Sequence, residues 1–76
     1  MKVEDIVMVV DHQQELSIDV IMQDDIEGIT QTYSMNWEGY AEDVPLNIMR
    51  TDIRGIRVDQ YEDGDSRDRF HIISEM

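Results

Sequence analysis

Among the residues that could do chemistry here carboxylates dominate, and they gather at "QDDIEG", where Asp24, Asp25 and Glu27 crowd into residues 23–28. Such a knot has three chemical uses: ligating a hard cation through oxygen, working as a general acid and base, or presenting fixed negative charge to a partner. Calcium takes about 6 to 8 oxygens, and an EF-hand loop supplies them at the D-x-[DN]-x-[DN]-G spacing with a distant Glu. "QDDIEG" lacks that spacing. The later run "EDGDSRDRF" offers Asp63, Asp65 and Asp68, but Arg67 stands where a fifth-position oxygen ligand belongs, and no bidentate Glu closes the loop. The sequence therefore assigns neither a metal nor a cofactor. An acid and base pair needs a cleft that pushes one pKa away from the other, whereas Asp24 and Asp25 fall at an expected hairpin tip, the least sheltered place in a small fold. A solvated turn is the plain reading of the knot.

Nucleophilic catalysis finds less support. The chain has no cysteine, and Ser17, Ser34, Ser66 and Ser74 lie outside any G-x-S-x-G context. His12 and His71 have no partner in the local sequence; His12 is expected in the link after a first helix, and His71 on an outer strand face beside Arg69. Four scattered glycines build neither a phosphate loop nor a dinucleotide fingerprint. No catalytic residue is assigned, and the expectation is a protein that is not an enzyme.

Charge is distributed with more information than its total carries. The net charge is −12, from 18 acids against 6 bases, and residues 3–49 contain no Lys or Arg. Residues 1–49 hold eleven acids and one base, a net of −10; residues 50–76 hold seven acids and five arginines, a net of −2. Like charges repel within a compact fold, so such asymmetry bears on solubility and partners. Direct nucleic-acid binding needs a positive surface and is not expected. A basic partner is.

The arginines Arg50, Arg54, Arg57, Arg67 and Arg69 cluster near the last part of the chain, where Arg57 is placed to face Arg67 or Arg69 across a hairpin. Their plain role is cross-strand pairing with Asp59, Glu62 or Asp68. The alternative is a clamp for a small nucleotide built from Arg54, Arg57, Arg67 and Arg69, since guanidinium forks match phosphate oxygens. Acids interleaved through the same segment favour pairing.

These residues need elements to position them. At 76 residues, the chain is read as one small domain, residues 1–76, with a thin core and no disulfide to staple it. In "KVEDIVMVVD", Val3, Ile6, Val7 and Val10 follow helical spacing over residues 3–10, although β-branched residues leave a buried strand open as the alternative. "ELSIDVIMQ" alternates, with Leu16, Ile18, Val20 and Met22 inward. "ITQTYSMNW" puts Ile29, Tyr33, Met35 and Trp37 on one face, so the two runs read as a hairpin with Gly28 free to take a positive φ. Tyr33 and Trp37 are expected in the core, with Met8, Met22, Met35 and Met49 filling gaps. Asp43 is expected to cap a short helix with Pro45 in its first turn and Leu46 and Met49 inside. "IRGIRVDQY", a turn at "EDGDSRD", and "RFHIIS" complete a second strand pair, with Ile56, Val58, Phe70 and Ile72 inward. The expected fold is α+β: a four-stranded antiparallel sheet with an N-terminal helix and a short helix between two hairpins, one sheet face packed and the other polar. The first ten residues form neither a signal peptide nor a membrane span, so no membrane association is expected and the cytoplasm is the default location.

"MKVEDIV", a middle hairpin running into "GYAEDVPLNIM", and "DIRGIRVDQYEDG" before a last strand resemble short accessory proteins encoded by bacteriophages and prophages. The resemblance implies a mobile-element origin and the host cytoplasm, and no particular catalytic residue. With it, the acids Asp19, Asp24, Asp25, Glu27, Glu38, Glu42 and Asp43, joined by Tyr40 as an aromatic anchor, read as a partner-binding surface. Ten net negatives correspond to on the order of 17 Å of duplex, enough to fill a basic groove. The expected function is a non-enzymatic inhibitor of the anti-CRISPR or anti-restriction kind, docking on a basic nucleic-acid-binding protein or nuclease complex as a DNA mimic. The alternatives are a homo-oligomer that self-associates through an open sheet edge, or a small-nucleotide sponge using the arginines.

Overall fold

The computed structural model describes residues 1–59 and 69–76, with Asp59 described for its backbone alone. Along them run α1 (Val3–Val7), β1 (Glu15–Ile26), β2 (Ile29–Tyr40), a 3-10 turn (Ala41–Asp43), α2 (Leu46–Met49), β3 (Asp52–Asp59) and β4 (Arg69–Glu75). The α+β class holds, and the short helix does lie between the two strand pairs. The turn expected over "EDGDSRD", with Glu62, Arg67 and Asp68, lies outside the described residues.

Alternation makes β1 and β2 strands, and the residues between them make the hairpin. Glu27 at φ 53° and Gly28 at φ 79° form a two-residue turn of the mirror-image type whose twist suits a hairpin. Pairing then runs without interruption from Ile26 and Ile29 to Glu15 and Tyr40. Twelve residues per strand span about 40 Å, which accounts for most of the molecule's 49 Å length. Asp24 and Asp25, expected in the turn, are strand residues opposite Gln31 and Thr30.

The sheet order is β2-β1-β4-β3, and the central pair β1 and β4 runs parallel, which corrects the expectation of a purely antiparallel sheet. The connection from β2 to β3 is a crossover: residues 41–51 carry the 3-10 turn and α2 over one sheet face to the far edge. A crossover sets its two strands in the same direction, so β1 and β4, each antiparallel to its own hairpin mate, must also agree in direction.

The core lies where that crossover and α1 cover the central strands. Leu16, Ile18 and Val20 of β1 and Ile72 of β4 are buried against Val3, Ala41, Val44 and Ile48. Helix α1 is shorter than its spacing suggested, stopping at Val7, yet Ile6, Val7 and Val10 all pack on the core as expected. Its first turn is held by Asp5, whose carboxylate accepts the Lys2 N–H at 2.9 Å. Asp43 does not cap α2. It ends the 3-10 turn, Val44 is extended as a residue before proline must be, and Pro45 takes the cap position. Consequently Leu46 is 61% exposed, and Ile48 fills the inner site beside Met49.

Coverage stops well short of the sheet's limits. Tyr33 and Met35 share the face of Ile18 and Val20 but stand largely exposed, as do Ile56 and Val58 on edge strand β3. These four point as the alternation requires, and they lie outside the core cluster. Met22, Met49, Phe70 and Trp37 pack on the core, while Met8 is solvent-facing beyond α1.

Candidate functional site

The polar face of the sheet collects side chains from three strands. Because β1 and β4 are parallel, Ser17 stands beside His71 and Asp19 beside Ile73; on the other side, β2 brings Asn36 opposite Asp19 and Glu38 opposite Ser17. Asn36 Nδ2 donates to Asp19 Oδ1 at 2.7 Å and to Ser17 Oγ at 3.1 Å. His71 Nε2 lies 2.7 Å from Asp19 Oδ2, a bond to a carboxylate that requires the proton on that nitrogen. Arg57 pairs in register with His71 rather than facing Arg67 or Arg69. The hydrogen bond from Asn36, then the bond and charge of His71 and the charge of Arg57, hold the Asp19 carboxyl below its ordinary pKa, against a desolvation that pushes it up.

Serine, histidine and aspartate together are the residue types of a nucleophilic triad. Ser17, however, is only 3% exposed and its oxygen already accepts from Asn36, so it presents no open hydroxyl to a substrate. The arrangement works as a brace: three strands are tied by polar bonds on the face opposite the apolar core. His71 lies on the outer face, as alternation predicts, and its partner Asp19 comes from a distant strand. Alternation was the signal for the face; the parallel pairing that supplies Asp19 has no local signal.

Toward the 15/40 end of the hairpin the same face carries a shallow depression of about 270 Å³, lined by Glu15, Leu16, Glu38, Gly39, Tyr40 and Arg69. Arg69 of β4 reaches across β1 to Glu38 of β2 at 2.5 Å. Arg54 pairs with Glu75. Thus Arg54 and Arg69, of the four arginines proposed as a phosphate clamp, have Glu75 and Glu38 as carboxylate partners; Arg69 also stands in register opposite Asp59, and Glu62, Arg67 and Asp68 lie outside the described residues.

The acids proposed as one partner surface divide into three groups. Asp19 and Glu38 sit mid-sheet with cationic or imidazole neighbours. Glu42 and Asp43 are exposed on the 3-10 turn, close in sequence to the half-open Tyr40. Asp24, Asp25 and Glu27 occupy the far end of the hairpin. There Tyr33 Oη donates to Asp24 Oδ2 at 2.8 Å, and Thr30 Oγ1 donates to Asp25 Oδ1 at 2.7 Å. Asp24's hydrogen bond and its charge raise the Tyr33 phenol above its ordinary pKa. Asp24 lies on the apolar face and Asp25 on the polar one, so negative charge appears on both sides of a thin ribbon. Neutral hydroxyls orient these carboxylates without cancelling them.

Among the described residues, no three His, Asp or Glu side chains come together to hold a metal ion, and no helix is long and apolar enough to cross a membrane. No protein-family model, no curated protein and no solved structure matches the chain.

Proposed function

We propose that this chain is a non-enzymatic inhibitor that inserts its acidic hairpin into the basic groove of a nucleic-acid-handling protein, in the manner of a phage-encoded anti-CRISPR or anti-restriction factor. The observation that carries the reading is the hairpin itself. Residues 15–40 contain six acids and no Lys or Arg, and they project well past the covered core. A ribbon with carboxylates on both faces and on its turn suits a groove lined with cations on both walls better than a flat surface. The turn supports the same reading. Glu27 holds a positive φ where Asn, Asp or Gly is the easier choice, so a long carboxylate is kept at some cost in backbone strain.

Charge complementarity of this kind acts through rate and specificity and weakens with salt. The test is inhibition of a panel of purified restriction nucleases and CRISPR effectors, with and without competing duplex DNA. The expected result is inhibition of a member of that panel, relieved by DNA and by added salt, and lost in the variant Asp24→Lys, Asp25→Lys, Glu27→Lys while the thermal midpoint stays in place. Undiminished inhibition by that variant, or no effect on any member, overturns the reading.

A further inference from the structure

We infer that the outer edge of β2 pairs antiparallel with β2 of a second copy of this chain, doubling the sheet about a two-fold axis at Tyr33. This inference stands apart from the reading of the hairpin tip. The two-residue turn makes Ile26 and Ile29 a hydrogen-bonded pair, and every second pair down the ladder follows: Asp24 with Gln31, Met22 with Tyr33, Val20 with Met35. The intervening residues Thr30, Thr32, Ser34 and Asn36 therefore aim their N–H and C=O groups away from β1. Among the described residues nothing pairs with them.

Edges are ordinarily blunted by charge, proline, bulges or a covering segment, and the opposite edge of this sheet has three of those devices. Ile53 N donates to Met1 O at 2.8 Å and Val3 N to Thr51 O at 3.0 Å, so the N-terminal residues cover the start of β3. A register shift follows between Ile53 and Gly55, and Arg54 and Arg57 project from the same strand. Over residues 29–37 strand β2 has none of them. Its pairing with β1 is continuous, and residues 28–37 hold no charged residue and no proline in a chain with 24 charged residues out of 76.

Charge decides the occupant. A basic partner strand would find no acid to meet along this stretch. A second copy brings a net charge of −12, and the arrangement that pairs the longest uncharged stretch sets residues 29–37 against themselves. With the axis at Tyr33, Thr32 lies opposite Ser34 and Thr30 opposite Asn36 of the second copy, giving about eight backbone hydrogen bonds at two per bonded pair. Glu38 then falls opposite Gly28, and the two acidic tips point to opposite ends. On the apolar face Tyr33 meets its own copy, and Ile29, 65% exposed, meets Trp37.

Sedimentation of the full chain over a concentration series, at low and high salt, tests this. The mass is expected to rise from 8.9 kDa toward twice that value, more readily at high salt because screening relieves repulsion between copies. Ser34→Pro removes an outward N–H that the β1 ladder does not use, and Thr32→Lys places a charge on the edge; each is expected to weaken the dimer by about tenfold or more while leaving the monomer's circular dichroism unchanged. Tyr33→Cys, in a chain with no other cysteine, is expected to give a disulfide-linked dimer on mild oxidation. A wild-type chain that stays monomeric at high salt, or a dimer equally strong in both edge variants, overturns the inference. If Ser34→Pro fails to fold, Thr32→Lys still decides.

Discussion

The two ends of the β1 and β2 hairpin follow one alternating pattern and meet different fates. At the covered end Leu16, Ile18 and Val20 are sealed under α1, the 3-10 turn and α2; at the far end Ile26 is 57% exposed, and Ile29 and Tyr33 stand open beside it. What separates them is reach. The crossover of residues 41–51 and a five-residue helix are long enough to cover the middle of a four-stranded sheet and no more. Alternation says which way a side chain points, and the helices decide whether pointing that way buries it.

The largest effect that would sharpen this contrast comes from truncating each end in turn. Ile18→Ala removes a fully buried side chain from the centre of the core and is expected to cost about 2–5 kcal/mol in denaturant unfolding. Ile26→Ala, on the same strand and face, is expected to stay within about 0.5 kcal/mol of wild type at dilute monomer concentration. Equal losses at both ends would mean that the far hairpin is buried in solution.

A smaller effect tests where the covered end begins. A Cβ on Gly39 would stand 2.9 Å from Cζ2 of Trp37, whose ring lies over it. Gly39→Ala must therefore displace the indole, at an expected cost of about 1–3 kcal/mol for overpacking, with a shift in the fluorescence of the chain's one tryptophan. An unchanged spectrum and midpoint would show that Trp37 is free to move and belongs with the open end.

The smallest effect lies on the polar face and is read in acid. The Asp19 pKa is depressed in the folded chain, so its contribution to stability is complete above the unfolded carboxylate value of about 3.9 and is lost as pH falls through the lower folded value. Asn36→Leu removes the first cause of that depression. It is expected to flatten the loss of stability below about pH 4 by under about 1 kcal/mol, since Asp19 is over a third exposed and solvent screens its interactions. An acid limb unaltered by Asn36→Leu would place the titrating group elsewhere.

Much of the fold was legible, and the misreadings share one cause. Alternation marks strands over residues 15–23 and 29–37 and Gly28 marks a turn; pairing then carries the strands on to Ile26 and Tyr40 and narrows the turn to Glu27 and Gly28. The inward set of the first helix, Val3, Ile6, Val7 and Val10, follows from spacing even though the helix itself is shorter. The direction or type of Tyr33, Leu46, Ile56 and Val58 predicts core positions, but burial depends on what arrives from elsewhere in the chain. Asp suits a cap, which points to Asp43; the competing demand of the residue before Pro45 moves the cap two positions on. In the candidate site, the tip acids were visible as a cluster, while the brace of Ser17, Asp19, Asn36 and His71 was not.

By itself the sequence determined the local and the additive: which residues alternate, that Gly28 permits a turn, and how charge is shared between the two halves. Tertiary structure alone decided the parallel pairing of β1 with β4, and with it the meeting of Asp19 and His71 across 52 positions of chain. It also decided that β2 lies at an edge. The physical reason is that strand order and coverage are set by how a crossover of fixed length can bury one apolar face, a competition among distant segments that no local spacing records.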